Sequence, residues 1–346
     1  MTLVTFPEAA GLGLTNRLER LLGASLVAII DRTQPNPDVD GLADLYRDFW
    51  ARPDAGDALV AVGGGSVLDT AKALMVGTAD RSFEELIALL ATGKPFTPHR
   101  VKPLIAIPTT AGTGSEVTPW ATIWDRAAGK KYSLHLDQTW AEAALVDPAL
   151  TLSLPAGVTL ASGLDALSHA LESIWNVNAN PVSDTHAVSA ARAVLATLPA
   201  LIGDLVNPEL RRRMSLAALQ AGLAFSNTKT ALAHSISYDM TLRHGLPHGI
   251  ACSFTLPLVL SRALGADAGR DAVLARIFEG PLADAPAWLA AFLEALGVST
   301  SFATYGVSDA EADRMVEAAL RGVRGKNFIG AERPSSSRFS VEQAAS

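Results

Sequence analysis

The chain has 346 residues, of which 49% are hydrophobic and 18% charged. It is too apolar for intrinsic disorder and long enough that one core would normally split into two domains. Against 35 Asp and Glu stand 28 Lys and Arg, a formal net charge of −7, which speaks against bulk attraction to nucleic acid or an anionic membrane.

The single cysteine, Cys252, excludes an internal disulfide and any multi-cysteine zinc or iron–sulfur site, and fits a reducing compartment. The first residues lack the basic start and apolar centre of a signal peptide. The most apolar stretch, residues 249–264, is interrupted by Ser253, Pro257 and Arg262 and is shorter than the ~20 residues a membrane span needs. A cytoplasmic protein is expected, with no nucleic-acid or membrane partner. The apolar content favours a homo-oligomer, a dimer first.

Taken in chain order, residues 25–31 read as a buried strand ending in Asp31. Residues 57–62 form a second strand, which runs into Gly63, Gly64, Gly65 and Ser66, and helical spacing follows over 67–76. Residues 104–108 form a third strand, leading into a turn with Thr109, Thr110, Gly112, Thr113, Gly114 and Ser115. Residues 143–147 are a fourth. Strand, glycine-rich turn, helix and strand repeat in the manner of a parallel α/β sheet. From about residue 151 the pattern changes to long helical periodicities over 163–175, 181–201, 208–225, 285–296 and 309–323. The expected fold is thus an α/β N-terminal domain over 1–150 and an all-helical C-terminal domain over 151–330. The tail 331–346 is expected to be mobile.

Glycine turns at helix N-termini hold phosphate well. Glycine admits close backbone approach, free amides point outward, and the helix dipole favours an anion. Gly63 to Ser66 meets that description, though it is neither a G-x-G-x-x-G fingerprint nor a P-loop. By itself it could equally be a plain strand-to-helix connection. The hydroxyl-rich turn at Thr109 adds a second such feature, as suits an extended ligand across a sheet edge. Asp31 stands where a carboxylate can accept from a ribose hydroxyl or simply end a strand, and Arg32 beside it weakens any strict choice of NAD over NADP.

Asp165 and His169 are four apart on an apolar helix, so they share one face. Burying such a pair is costly unless a metal or a mutual hydrogen bond satisfies it. Residues 231–249 hold three of the seven histidines, His234, His244 and His248. One carboxylate with three imidazoles suits Fe²⁺ or Zn²⁺, and an open coordination position would polarise a carbonyl.

Four motifs carry a resemblance to a known family: residues 63–72 (GGGSVLDTAK), 108–116 (PTTAGTGSE), 163–172 (GLDALSHALE) and 247–249 (PHG). Through them the chain resembles the iron-containing alcohol dehydrogenases from about residue 24 to 257. The resemblance implies a dinucleotide-binding α/β domain and a helical domain with the active site in the cleft between them, the architecture also used by dehydroquinate synthase. It places the metal on Asp165, His169, His234 and His248. NADH or NADPH falls on Asp31, Gly63, Gly64, Gly65, Ser66, Asp69, Thr109, Thr110, Thr113 and Lys131. The family's usual histidine four residues after the third metal position is here Tyr238. Proton transfer is accordingly expected from Tyr238, His244 or water.

Residues 226–238, 244–254 and 321–330 are similar to phosphonoacetaldehyde reductases. That resemblance implies reduction of phosphonoacetaldehyde to 2-hydroxyethylphosphonate, with a small anionic aldehyde as substrate. A phosphonate dianion needs cationic donors. Lys229 and Arg243 each stand five residues before a metal histidine, and Arg324 and Lys326 cluster among glycines with Arg321. Lys229 is the first choice, Arg324 or Lys326 the second. The competing expectations are a broad-specificity alcohol dehydrogenase acting on uncharged or other anionic aldehydes, and a dehydroquinate synthase-like lyase.

Overall fold

The structure, a computed structural model, describes residues 1–52 and 55–331. Of the expected mobile tail, 331–346, residues 332–346 lie outside them. The chain divides into two compact units. One is Met1–Thr110 with Gly114–Thr151; the other is Ala111–Thr113 with the chain from Leu152 onward.

The first unit contains, in order, β1 (Thr2–Val4), α1 (Leu14–Leu22), β2 (Ala28–Ile30), α2 (Val39–Ala51), β3 (Leu59–Gly63), α3 (Gly65–Met75), β4 (Val76–Gly77), α4 (Phe83–Ala91), β5 (Arg100–Val101), β6 (Leu104–Pro108), β7 (Trp120–Asp125), β8 (Lys130–His135) and β9 (Ala143–Ala144). Five strands make the main sheet in the order β2-β1-β3-β6-β9, with every neighbouring pair parallel. Leu59, Ala61, Val62, Leu104 and Ala106 are fully buried, as strands covered on both faces require. From β1 the chain turns to β2 on one side, then returns to β3 on the other. The carboxyl ends of β1 and β3 therefore flank the reversal point of the sheet, where ligands of open α/β sheets bind.

Two expected strands shrink. Residues 23–25 form a turn closed by the Leu26 amide on the Gly23 carbonyl, so residues 25–31 contribute only β2. β9 is an edge strand paired on one side, and it keeps two of residues 143–147. Two features were not legible. β1 is three residues long, too short to display a period of two, although it is paired on both sides, by β2 and β3. β7 and β8 pair as an antiparallel hairpin apart from it.

The second unit is helical. Among the described residues it contains α5 (Ala156–Ile174), α6 (Pro181–Gly203), α7 (Pro208–Thr228), α8 (Leu232–His244), α9 (His248–Ser253), α10 (Leu256–Ala263), α11 (Ala268–Leu274), α12 (Ala285–Ala295) and α13 (Asp309–Arg321). α6 and α7 begin as the sequence indicates: the Asn180 and Asn207 side chains accept from the first free amides, each followed by proline. α6 is long and apolar enough to cross a membrane by composition, but Ala187, Ala190, Ala191, Val194 and Leu198 bury one stripe in the core. α5 runs through the centre and packs on α6, α7, α8 and α9; Gly163 to Ile174 are buried without exception. α8 and α9 were not apparent as helices. α8 buries His234 and Ser237 among its apolar residues and so shows no clean stripe, and α9 is shorter than two full turns.

α9 reaches α5 because Gly249 has no side chain. A Cβ there would overlap the Ala161 carbonyl and stand 3.2 Å from Asp165 Cβ. Gly249→Ala is expected to push α9 off α5 and lower stability by about 1–3 kcal/mol, read as a fall in the thermal midpoint. Ala318→Ser, at an exposed position of α13, is expected to leave the midpoint unmoved.

Candidate metal centre and dinucleotide turns

Three helices bring one carboxylate, three imidazoles and a thiol together. Asp165 and His169 lie one turn apart on α5, His234 opens α8, and His248 and Cys252 lie one turn apart on α9. One donor atom each from Asp165, His234, His248 and Cys252 falls within 4.8 Å of all the others. Asp165 Oδ1 is 3.4 Å from His234 Nε2 and 3.8 Å from His169 Nε2. The His169 and His234 rings stack at 4.6 Å, and His248 meets His234 edge-on at 5.5 Å. Of the four expected metal residues, Asp165, His234 and His248 fall in that group with Cys252, and His169 lies beside it, stacked on His234.

Asp165 Oδ1 and His234 Nε2 are buried with no hydrogen-bond partner. Orphaning two polar atoms costs several kcal/mol unless something joins them. Donors held ~2.0–2.3 Å from one ion are at most about 4.6 Å apart. The observed limit of 4.8 Å needs only slight contraction. The residues present fit a divalent metal.

The remaining ring nitrogens are held by the chain. His169 Nδ1 lies 3.3 Å from the Gly112 carbonyl, which leaves Nε2 toward Asp165. His234 Nδ1 lies 2.6 Å from Glu172 Oε2. Glu172, fully buried on α5, also accepts from the amides of Ala231, Ala233 and His234. It caps the start of α8 and selects the His234 tautomer whose Nε2 carries the free lone pair. Burial alone would raise the Glu172 carboxyl, but the His234 ring and those amides outweigh it and hold it below the usual range. Asp165 behaves likewise: burial opposes ionisation, and the surrounding imidazoles overcome it and place it well below a normal aspartate. Burial takes His169 down to about 4, so its ring is neutral at pH 7 and able to ligate.

Beyond the cluster the expected site residues separate. Tyr238, one turn after His234, has its ring 5.1 Å from the Arg324 guanidinium, and burial raises its phenol. Arg324 is half-buried and donates to Thr230 Oγ1 at 2.9 Å. His244 instead ends α8, ten positions beyond His234 or about 15 Å along the axis, and faces Glu311 at 3.8 Å. Arg243 pairs with the same Glu311 at 3.4 Å. Both residues thus face Glu311 at the end of α8, away from the cluster around Asp165. Lys229 and Lys326 are exposed. Lys229 takes φ 67° where the chain leaves α7, and its carbonyl accepts from Asn176. Its place in the fold is that of a helix stop.

In the first unit, the Gly63–Ser66 turn follows β3 and opens α3, and Gly64 lies at the helix N-cap. Thr109 and Thr110 follow the neighbouring strand β6; the Thr109 amide bonds the Gly63 carbonyl and locks the two turns side by side. Asp31 follows β2 and is exposed, while Arg32 is drawn to Asp48 at 3.1 Å. Asp69 differs from a free ligand residue. Its oxygens accept from Ser115 Oγ and the Thr122 amide, both at 2.9 Å, so it braces the second turn and β7 against α3. Lys131 on β8 lies 5.7 Å from the Trp124 ring. Thr113 falls with Ala111 and Gly112 in the second unit.

The model of the iron-containing alcohol dehydrogenases matches residues 1–148, and that of the family's C-terminal part matches residues 159–334. The chain belongs to the iron-containing alcohol dehydrogenase family. It is 33% identical over 307 residues to the NAD-dependent methanol dehydrogenase of Bacillus methanolicus, covering 86% of this chain and 79% of that protein. It is 30% identical over 323 residues to the sulfoacetaldehyde reductase of Bilophila wadsworthia (strain 3_1_6), covering 88% and 81%. Among solved structures, sulfoacetaldehyde reductase from Bifidobacterium kashiwanohense in complex with NAD+ superposes with a TM-score of 0.85 at 30% identity, covering 94% of this chain and 86% of that one. This dehydrogenase is therefore an oxidoreductase of the alcohol and aldehyde class.

Two residues of the dehydrogenase's motifs had no assigned role in the sequence reading. Lys72 is fully buried, and its amine donates to the carbonyls of Ser115, Thr118 and Trp120 and to Ser115 Oγ at 2.6–2.9 Å. Burial lowers it to about 8, against the pull of Asp69 and Glu116. Glu172 is the other. Its signal was present, since it lies seven residues after Asp165 on the same helix face, two turns on.

Lys72→Met is expected to strip the Ser115 turn of its donor, costing about 3–5 kcal/mol and weakening NADH binding in calorimetry. Glu172→Gln is expected to keep the fold while lowering metal affinity about 10–100-fold, measured by competition with a chelator.

Proposed function

We propose that this dehydrogenase reduces a small anionic aldehyde to its primary alcohol with NADH, phosphonoacetaldehyde to 2-hydroxyethylphosphonate being the first candidate. The observation that carries the anionic substrate is Arg324, a half-buried guanidinium held by Thr230 over the Tyr238 ring, one helical turn from His234. Arg324 takes the place that Lys229 held in the sequence reading. Sulfoacetaldehyde is the second candidate, because the two sulfoacetaldehyde reductases are similar to this chain along most of its length. Both substrates present a tetrahedral oxyanion one carbon from the aldehyde, and a guanidinium recognises either in the same way.

Asp165, His169, His234 and His248 would hold a divalent iron or zinc ion, which supplies Lewis-acid polarisation of the aldehyde oxygen when bound. The first unit would hold NADH, which supplies a hydride when bound. Its pyrophosphate suits the amides that open α3 at Gly65 and Ser66, and Asp31 at the end of β2 suits a ribose hydroxyl. Glu172 keeps the His234 lone pair directed at the ion. Gly112, through its carbonyl, does the same for His169. Arg324 orients the substrate by its anion and fixes the aldehyde carbon in one place. Tyr238 is the acid of this chain nearest His234 along α8 and would hand its proton to the product oxygen, to be restored from water.

Metal-reconstituted protein is expected to oxidise NADH with phosphonoacetaldehyde or sulfoacetaldehyde at a higher kcat/KM than with an uncharged aldehyde of the same length. Arg324→Gln should raise KM for the anionic aldehydes about 10–100-fold, the loss of a charged hydrogen bond worth about 1.5–3 kcal/mol, and leave the uncharged aldehyde unaffected. Equal turnover of charged and uncharged aldehydes by the unaltered protein would refute the anionic assignment. The ratio of the two anionic substrates decides between phosphonate and sulfonate.

A further inference from the structure

Cys252 is the chain's one cysteine and is fully buried. A buried cysteine is usually a small hydrophobe among other apolar groups. This one has a different setting. Its Sγ lies 3.6 Å from Nε2 and 3.7 Å from Nδ1 of His248. It shares the 4.8 Å cluster with Asp165, His234 and His248. Two atoms of that cluster, Asp165 Oδ1 and His234 Nε2, are buried and unpartnered. They call for a ligand independently of the thiol.

The geometry points to Cys252 as a sulfur donor to the same divalent ion, so that the centre holds one carboxylate, three imidazoles and one thiolate. The inference rests on the metal centre proposed above. His248 and Cys252 are four apart on α9, as Asp165 and His169 are on α5, so each helix offers two donors from one face. On coordination the thiol releases its proton to solvent and the sulfur lone pair forms the bond to the ion; no electron changes hands. A sulfur donor moves the preference of the centre toward zinc and cobalt and away from ions that favour oxygen alone, such as Mg²⁺ and Mn²⁺. It also makes the thiol unavailable to alkylating agents while the metal is bound.

A single cysteine makes the test unambiguous, since any thiolate signal comes from Cys252. The full chain is stripped with a chelator and titrated with Co²⁺ while the absorption spectrum is followed. A near-ultraviolet thiolate-to-cobalt charge-transfer band is expected, absent from Cys252→Ser and Cys252→Ala, with the visible cobalt bands retained in both. Zn²⁺ affinity of the two variants is expected to fall at least about tenfold, with folding verified by circular dichroism. Co²⁺ binding with identical spectra in the unaltered chain and in either folded variant overturns the thiolate donor and leaves the metal centre standing. If the unaltered chain takes up no Co²⁺, the metal centre falls and the thiolate donor with it.

Discussion

A carboxylate in the middle of a helical bundle must be answered by something other than water. Asp165 is 3% exposed and points one oxygen at two imidazoles without a hydrogen bond to either. That arrangement is costly in an apolar interior, and much of the second unit is organised around it. Glu172 anchors the start of α8 so that His234 meets Asp165. Gly249 lets α9 come close enough to deliver His248 and Cys252. Gly112 supplies the carbonyl that turns His169. Each is a small local concession of packing or polarity, and together they hold several donors at one point.

The first unit solves a different problem by a related device. Its first glycine turn opens α3, where the amides of a helix start suit an anion. Lys72 and Asp69 hold the second turn from the inside. An ammonium with four oxygen acceptors and a carboxylate with two donors fasten the Ser115 turn and β7 to α3. A positively charged side chain with no exposure is kept because its hydrogen bonds are complete. Both units thus bury charge in order to hold a loop or helix end in position. The helix-end cluster of Arg243, His244 and Glu311 has no such structural reach and is more exposed.

The legible parts of the sequence were those in which local signals agreed. α6 and α7 carry Asn-Pro starts and long apolar stripes, and β3 and β6 end in glycine-rich turns, so both the elements and the turns could be read. The Asp165 and His169 pair was readable because spacing alone puts two residues on one helix face. α8 was not, because it buries a histidine and serines where a stripe would be apolar, and β1 was not, because three residues have no period. Lys229 and Arg243 drew attention by their spacing from metal histidines, but sequence distance says nothing about direction. Lys229 ends a helix and Arg243 lies far along another, whereas Arg324, ninety positions from His234, lies over the ring next to it.

The sequence by itself determined the family, the α/β and helical halves, and the residue types able to hold a metal, since these follow from motif, period and donor chemistry. Only the tertiary structure decided that Cys252 shares the metal cluster, that Glu172 sets the His234 tautomer, and that Lys72 and Asp69 serve the turn from within. The physical reason is the same in each case. Coordination and hydrogen bonding depend on which atoms converge to within a few ångströms, and convergence is set by how helices from distant parts of the chain pack, which no local pattern records.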